Sequence, residues 1–487
     1  MNFRLTIISM SLALAACAVG PDFKQPASPI TENFARAESA TASKIPPEGI
    51  DAKFWHGFGD PVLSRLIDDA LTGNQDLRVA VSRYDASNAL LANAKFDRYP
   101  TVTASGQIGH QLLSQDQAFG APRDQRDTPI SSVQINAAWE LDLFGRVRRG
   151  VEASRADTEA SAADIRAVRV AMAADVANAY VDLRGSQLRL RIARDNAENQ
   201  RQTLALVEAR IAAGRGSDLD AARARAQFES TTSRIAAYEA TIGVDEHRLA
   251  VLTGRPPEAL ISELDGSGPL LSLSTDIDPG TPGDLLRRRP DIAAAEARLH
   301  AATARVGIAT ADLFPRFTLS GMLGSMSATY GVFRSGSDMN LIALGIDWSF
   351  LDVGRVRARI AASDANASGQ LAQYRQTVLL ALEETENALL RVSRTRDESL
   401  HLDRSAENSA LAARLAQARF DSGAIDYYQV LDAQRSMLQA QDAAAEARMR
   451  RATATVGLYK ALAGGWEPAS DTATTSSKGL KESVPHS

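Results

Sequence analysis

Tyr99-Pro100-Thr101-Val102-Thr103-Ala104-Ser105-Gly106 is followed much later by Phe314-Pro315-Arg316-Phe317-Thr318-Leu319-Ser320-Gly321, at an offset of 215 (314 − 99). Each stretch reads as a helix that stops and a strand that starts. Proline has no N–H and clashes with the preceding turn, and alternation of period two sorts side chains onto two faces of a strand. Working outward, Asp76-Leu77-Arg78 to Gly109 lines up with Asp291-Ile292-Ala293 to Gly324. Further on, Trp139 matches Trp348, and Gly145-Arg146-Val147-Arg148 matches Gly354-Arg355-Val356-Arg357, now at 209 (354 − 145). Ala209-Arg210-Ile211 with Gly214 matches Ala418-Arg419-Phe420 with Gly423, again at 209. The six-residue change falls between Gly109 and Trp139, so one loop is six residues longer in the first copy. The chain therefore repeats one unit: helix, two strands, long helix, helix.

The strands alternate over most of their length. Val102, Ala104, Gly106, Ile108, His110 and Leu112 share one face of the first. Val133, Ile135, Ala137, Trp139, Leu141 and Leu143 share one face of the second. In the second copy the faces are Phe317, Leu319, Gly321 and Leu323, then Ile342, Leu344, Ile346, Trp348 and Phe350. Alternation over about 10 residues is the pattern of a membrane barrel strand; a soluble half-buried hairpin has the same period. The strands are expected at about 101–113, 131–143, 316–326 and 340–351.

Helices fill the rest. Residues 61–97 read as one helix with an apolar stripe at Leu63, Leu66, Ile67, Ala70 and Leu71. After Gly150 no proline occurs until Pro256, and Val176, Leu183, Leu190, Ala197, Leu204 and Ile211 recur every seven residues. A sustained heptad predicts left-handed supercoiling against neighbours. Gly214-Arg215-Gly216 breaks this helix, and a second runs from about Asp218 to Leu252. A long helix of ~64 residues spans about 96 Å at ~1.5 Å per residue, three times a bilayer's hydrocarbon core. The second copy repeats the plan: a long helix at about 355–421, a break at Ser422-Gly423, then a helix to Leu462.

Composition excludes several classes. The 487 residues are 45% hydrophobic but only 6% aromatic, which suits long helices in close contact. A net charge of −5 gives no electrostatic case for nucleic acid. No run of 18 apolar residues follows the N-terminus, so no transmembrane helix is expected. Residues 1–16 read as a secretory signal, and Leu14-Ala15-Ala16-Cys17 looks like a bacterial lipobox that would leave a lipidated Cys17. Cys17 is the sole cysteine, so no internal disulfide framework exists. Residues 17–60 read as a lipidated linker, 61–254 as the first repeat, 255–283 as a proline-bearing connector, 284–465 as the second repeat and 466–487 as a disordered tail. His56, His110, His247, His300, His401 and His486 are scattered without metal-ligand spacing, and Met322 with Met326 reads as packing. No catalytic residues, metal site or cofactor is expected, and the chain does not read as an enzyme.

Four strands cannot close on themselves, and open edges cannot sit in lipid, where each unpaired backbone group costs several kcal/mol. Two chains would give 8 strands and a filled interior; three give 12, wide enough to conduct. The two shorter helices of a unit, stacked end to end, nearly match its long one. Three chains then make a ring of twelve helical strands.

Several local motifs stand in order along the chain: Leu14-Ala15-Ala16-Cys17, Phe54-Trp55 with Asp60-Pro61-Val62-Leu63, and Asn74-Gln75-Asp76-Leu77. They continue through Arg288-Arg289-Pro290-Asp291-Ile292 to Phe314-Pro315, then Leu431-Asp432-Ala433-Gln434-Arg435 and Leu458-Tyr459-Lys460-Ala461-Leu462 with Gly464-Gly465-Trp466. In these residues the chain resembles the TolC-like outer-membrane factors, in the lipoprotein (NodT-like) branch that serves resistance-nodulation-division efflux pumps. The resemblance covers roughly 50–466. It implies a mainly α fold with a membrane β-barrel portion: a homotrimer whose 12-stranded outer-membrane barrel is continuous with a 12-helix periplasmic α-barrel. It implies outer-membrane lipid around the barrel, a periplasmic adaptor and an inner-membrane pump as partners, and passive conduction of small molecules. Carried over by position, Asp220, Tyr428, Asp432 and Arg435 are gate candidates, with Tyr428 standing where some relatives have an aliphatic residue. Gly214 and Arg215, with Ser422 and Gly423, match the adaptor-facing turns. Asp432 and Arg435 also make sense as an ordinary exposed helical pair. A lipid-anchored coiled-coil spacer without a pore, or a protein-export duct of a type I secretion system, are the rival functions.

Overall fold

The computed structural model describes residues 18–27, 32–36, 54–266, 268–271 and 280–462. Cys17, the signal segment and the tail from Trp466 lie outside them. The chain divides into two compact units. One comprises Met1–Ala27, Val81–Ala163 and Ala293–Thr377; the other comprises Ser28–Ala80, Asp164–Ile292 and Val378–Ser487. The main elements are α1 (Pro61–Gly73), α2 (Gln75–Phe96), β1 (Thr101–Leu112), β2 (Asp127–Leu141), α3 (Arg146–Ala212), α4 (Asp218–Leu252), α5 (Pro282–Arg288), α6 (Pro290–Ala311), β3 (Arg316–Ser327), β4 (Asp338–Asp347), α7 (Val353–Asp421) and α8 (Tyr427–Ala461).

The first unit holds the sheet, antiparallel throughout, in the order β1-β2-β3-β4. Gly106 pairs with Val133 and Gly321 with Ile342. These two pairs are the same pair, moved by 215 on one strand and 209 on the other. The six extra residues therefore lie in the β1–β2 loop, which carries a helical turn at Arg123–Arg126. Register joins the apolar faces of the four strands. Ala104 faces Ile135, Ile135 faces Leu323, Trp139 faces Leu319, and Leu319 faces Leu344. Many of these side chains are bare in the single chain: Ile108 is 73% exposed, Leu323 68% and Ile342 85%. The strand–helix junctions repeat as well. The Trp139 indole N–H donates to Arg98 O and the Trp348 indole N–H to Leu313 O, both at 3.0 Å.

The residues after Cys17, read from sequence as part of a linker, are extended but tied down in this unit. Val19 N donates to Phe144 O, Asp22 pairs with the buried Arg149 at 2.6 Å, and Phe23 stacks on His300 at 4.6 Å. Arg149 and His300 both reach Glu152.

The second unit has an apolar core. Leu63, Leu66, Ile67 and Ala70 of α1 are fully buried with Val176, Tyr180 and Leu183 of α3, Leu249 of α4, and Leu260 and Leu264. Asp60 starts α1: its Oδ1 accepts from Val62 N and Leu63 N, ahead of a proline whose missing N–H needs no partner there. Its Oδ2 accepts from the Tyr180 hydroxyl at 2.7 Å. Burial first, and then Asp60, push the Tyr180 hydroxyl up to about 12. Arg289 is buried in a full set of acceptors: Asp291 twice, Glu384 and Ala461 O. The motif residues Asp60-Pro61 and Arg289-Pro290-Asp291 are thus helix starts wired to neighbouring elements. The α3 heptad follows suit: Val176, Leu183, Leu190 and Ala197 are buried, and Leu204 and Ile211 partly so.

Three expectations change. The helix expected over 61–97 is two helices. A Cβ on Gly73 would lie 2.5 Å from Thr253 O, and buried Asn74 turns outward at ψ 133. Asn74 Oδ1 accepts from Asp76 N and Leu77 N, restarting the helix, while its Nδ2 donates to Leu252 O. The second strand begins at Asp127, paired with Leu112, and ends at Leu141. The fourth ends at Asp347, so Trp348 and Phe350 lie past it, with Trp348 fixed by its bond to the helix junction.

Candidate functional site: the paired helix tips

At two places, a long helix turns into a shorter one. Gly214 (φ +69) follows the end of α3, and Gly423 (φ +75) follows the end of α7. Gly214 N donates to Ile211 O and Arg215 N to Arg210 O; Gly423 N donates to Phe420 O and Ala424 N to Arg419 O. Both are six-to-one closures around a left-handed residue, the conformation glycine adopts without steric penalty. They repeat at an offset of 209. Downstream the copies differ. Ser217 caps α4 through Leu219 N, whereas Asp426 makes no side-chain cap for α8.

A small apolar cluster ties the tips together: Val207, Ala221, Ala224, Phe420, Tyr427 and Val430. The Arg210 guanidinium lies 3.9 Å from the centre of the Phe420 ring and also donates to Phe420 O. Such a stacked cation contributes about 0.5–1 kcal/mol where partly exposed. Burial, and then the charge of Asp220, push the Tyr427 hydroxyl up to about 12.

Asp220 thus acts on Tyr427, the neighbour of the gate candidate Tyr428. Tyr428 is 56% exposed and has the Arg223 guanidinium over its ring at 5.4 Å. Asp432 and Arg435 pair with each other along α8 at 2.9 Å, both about half exposed. The structure therefore pairs Asp432 with Arg435, whereas Asp220 acts on Tyr427 and Tyr428 lies against Arg223. Sequence reading missed Arg210, Arg223 and Tyr427. Their aromatic partners lie on other elements, so no local spacing marks them.

Beside the tips, α3, α7 and α8 line a pocket of about 420 Å³ with amides. Gln434 Nε2 reaches Thr203 Oγ1 at 3.5 Å. Gln200 Oε1, Gln417 Oε1 and Gln434 Oε1 are buried without a partner among the described residues. Higher on α3, Arg189 forks onto Asp442, which also accepts from Tyr238. Burial raises the Asp442 carboxyl, but Arg189 and Tyr238 outweigh it and hold the group below its ordinary range. Asp245 on α4 behaves oppositely. Burial, Asp182 and Glu246 push it up to about 7.

The family model described as "Outer membrane efflux protein" matches residues 66–255 and 281–464, one match per copy of the repeat. The chain belongs to this family. Outer membrane efflux proteins similar to it include the outer membrane protein OprJ of Pseudomonas aeruginosa, 33% identical over 482 residues and covered to 96% on both sides. Nodulation protein T of Rhizobium leguminosarum bv. trifolii is 30% identical over 474 residues, covering 96% of this chain and 98% of that one. Among solved structures, the outer-membrane channel OprN matches with a TM-score of 0.86 at 39% identity, over 93% of this chain and all of that one. The chain is an outer-membrane efflux protein with the fold of the TolC-like channels. The bare apolar face of its sheet is what such a location requires.

Proposed function

We propose that the chain assembles as a homotrimer and forms the exit duct of a tripartite pump. Twelve strands close the barrel in the outer membrane, and the long helices carry the duct into the periplasm. One observation supports this above all. The four-stranded sheet has a continuous apolar face and two free edges, β1 and β4, in the single chain. In lipid those edges require partners, and the edge of a second copy supplies them. A coiled-coil spacer has no use for such a sheet. Two relatives from Pseudomonas putida are a toluene efflux pump outer membrane protein and a pyoverdine export outer membrane protein. For this chain the inference stops at small molecules.

In this reading Cys17 carries the lipid, and the strap from Val19 to Gln25 holds the anchored end against α3 and α6. Gly214-Arg215 and Ser422-Gly423 face the adaptor, which connects to an inner-membrane pump of the resistance-nodulation-division type. Asp220, Tyr428, Asp432 and Arg435 narrow the tip. The duct is passive, and energy comes from the pump. The test is conductance of the purified, solubilised oligomer in a planar bilayer, with its native mass measured alongside. A three-chain mass with cation-preferring conductance is expected. An oligomer that conducts in no variant would leave the spacer standing.

A further inference from the structure

Two serines mark where the apolar face of the sheet ends. Val133 stands opposite Ser325 and Ser131 opposite Ser327, so Ser131 and Ser325 share a face with Ile135 and Leu323. Leu323 is 68% exposed, yet both serines are buried. The β3–β4 loop, residues 328–337, covers them. Ser131 Oγ donates to Thr329 O, and Phe333 N donates to Ser325 Oγ, both at 2.9 Å. The Ser325 and Ser337 hydroxyls share a hydrogen bond at 2.7 Å, and Met326 N donates to Ser337 O. The loop is therefore folded back over the apolar face and fastened there. The first hairpin is built differently. The counterparts of Ser325 and Ser337 are His110 (325 − 215) and Thr128 (337 − 209), and its strands stay paired out to Leu112 and Asp127.

So held, the loop leaves two rings bare: Tyr330 is 69% exposed and Phe333 76%. Among the described residues Phe333 is the one non-glycine residue at positive φ, +60. That conformation brings Cβ too close to the following carbonyl oxygen, and glycine would adopt it freely. An aromatic kept at a strained position points to a use for its ring. We infer that the loop is a membrane foot: Tyr330 and Phe333 enter the outer leaflet at the boundary between its headgroups and its acyl chains. Length agrees with this. Trp348, just past the far end of β4, lies ten residues from Asp338. At ~3.4 Å per residue and a tilt of ~40°, ten residues rise about 26 Å along the barrel. The apolar band of such barrels is about 25 Å tall, with aromatic rings at both margins. Trp348 stands at one margin, and the foot supplies the other. This rests on the barrel proposed above and adds a lipid contact that closure of the barrel does not require.

Depth-dependent fluorescence quenching in the full-length chain tests it. Tyr330→Cys and Phe333→Cys, each carrying a small thiol-linked fluorophore, are reconstituted in phosphatidylcholine vesicles. Ile342→Cys, on the apolar face, is the reference for the lipid interior. Phe119→Cys, in the other loop at a site 96% exposed, is the reference for water. The parent chain reports any label taken up by Cys17. Lipids with a nitroxide near the headgroup are expected to quench positions 330 and 333 at least twofold more than lipids with it near the chain centre. At position 342 the order reverses. Aqueous iodide is expected to quench position 119 at least threefold more than position 333. If iodide reaches positions 330 and 333 as readily as 119, while lipid still quenches 342, the foot is overturned and the barrel stands. Shielding of 330 and 333 from both quenchers also overturns the foot, because it places the loop against protein. A position 342 that no lipid quencher reaches overturns the barrel's place in the membrane, and the foot with it.

Discussion

Replacing Asp432 by alanine separates a gate from a surface ion pair. Within one chain Asp432 and Arg435 sit three residues apart on α8 at 2.9 Å, with side chains 50% and 59% exposed. A pair of that kind stabilises its helix by about 0.3–0.5 kcal/mol. It exists equally in an open and a closed tip, and an interaction that is equal in two states shifts nothing between them. A change in gating therefore requires that Asp432 gain a partner across the ring when the tip closes. One such half-exposed contact contributes about 0.5–1 kcal/mol. Three symmetric copies contribute about 1.5–3 kcal/mol, or roughly a ten- to 150-fold change in the open-to-closed ratio. Asp432→Ala is expected to raise open probability in single-channel recordings by at least tenfold, and the charge swap Asp432→Arg/Arg435→Asp to restore much of the closed population. Open probability within twofold of the parent would refute the gate assignment and leave only the helical pair.

Other outcomes follow from the same geometry. Gly423→Val forces a β-branched residue to φ +75 and is expected to cost about 1–2 kcal/mol; exchange of the Ala424 amide should speed up about tenfold, and Gly214→Val should do the same at Arg215. Tyr180→Phe removes a buried donor from Asp60 and an acceptor from Arg184, a loss of about 1–2 kcal/mol read as a lower melting temperature. Its effect and that of Asp60→Ala should be less than additive, because they share one hydrogen bond. Asp245 binds its proton more tightly folded than unfolded, so stability is lost as pH rises from about 4 through about 7. Melting at pH 8 should therefore rise in Asp245→Asn, with little difference at pH 4. Asp442 has the opposite sign: its contribution is present above the ordinary carboxylate range and lost on acidification, so Asp442→Asn should flatten the fall in melting temperature below pH 4.

The sequence carries those parts of the fold that rest on periodicity. Period two marked all four strands, and the offsets 215 and 209 are the same shifts that relate the pair Gly106–Val133 to Gly321–Ile342 in the sheet. The heptad from Val176 to Ile211 lies on the buried side of α3. What it did not reveal depends on contacts between distant elements. The break at Asn74 is imposed by Thr253 and Leu252, some 180 residues away, and the apolar stripe from Leu63 to Leu71 stops short of it without marking it. The segment from Val19 to Gln25 has no period at all, yet Arg149 and His300 hold it. At the tips the spacing of Asp432 and Arg435 was visible, whereas Arg210 on Phe420 and Arg223 on Tyr428 are contacts between helices.

The lining of α3 changes along its length, and that change is mechanical. Near Val176, Tyr180 and Leu183 a neighbouring helix is bedded in side chains with no exposure to water, so any sliding must open apolar surface at about 25 cal/mol per Å². Near Gln200, Thr203 and Gln434 the contact is a layer of amides around a pocket. A hydrogen bond of that kind contributes a net of only about 0.5–1.5 kcal/mol. One end of the bundle is closed by apolar packing and the other by a few polar contacts. A partner pressing on the turns at Gly214 and Gly423 would spend its effort on local shear and leave the packed end undisturbed.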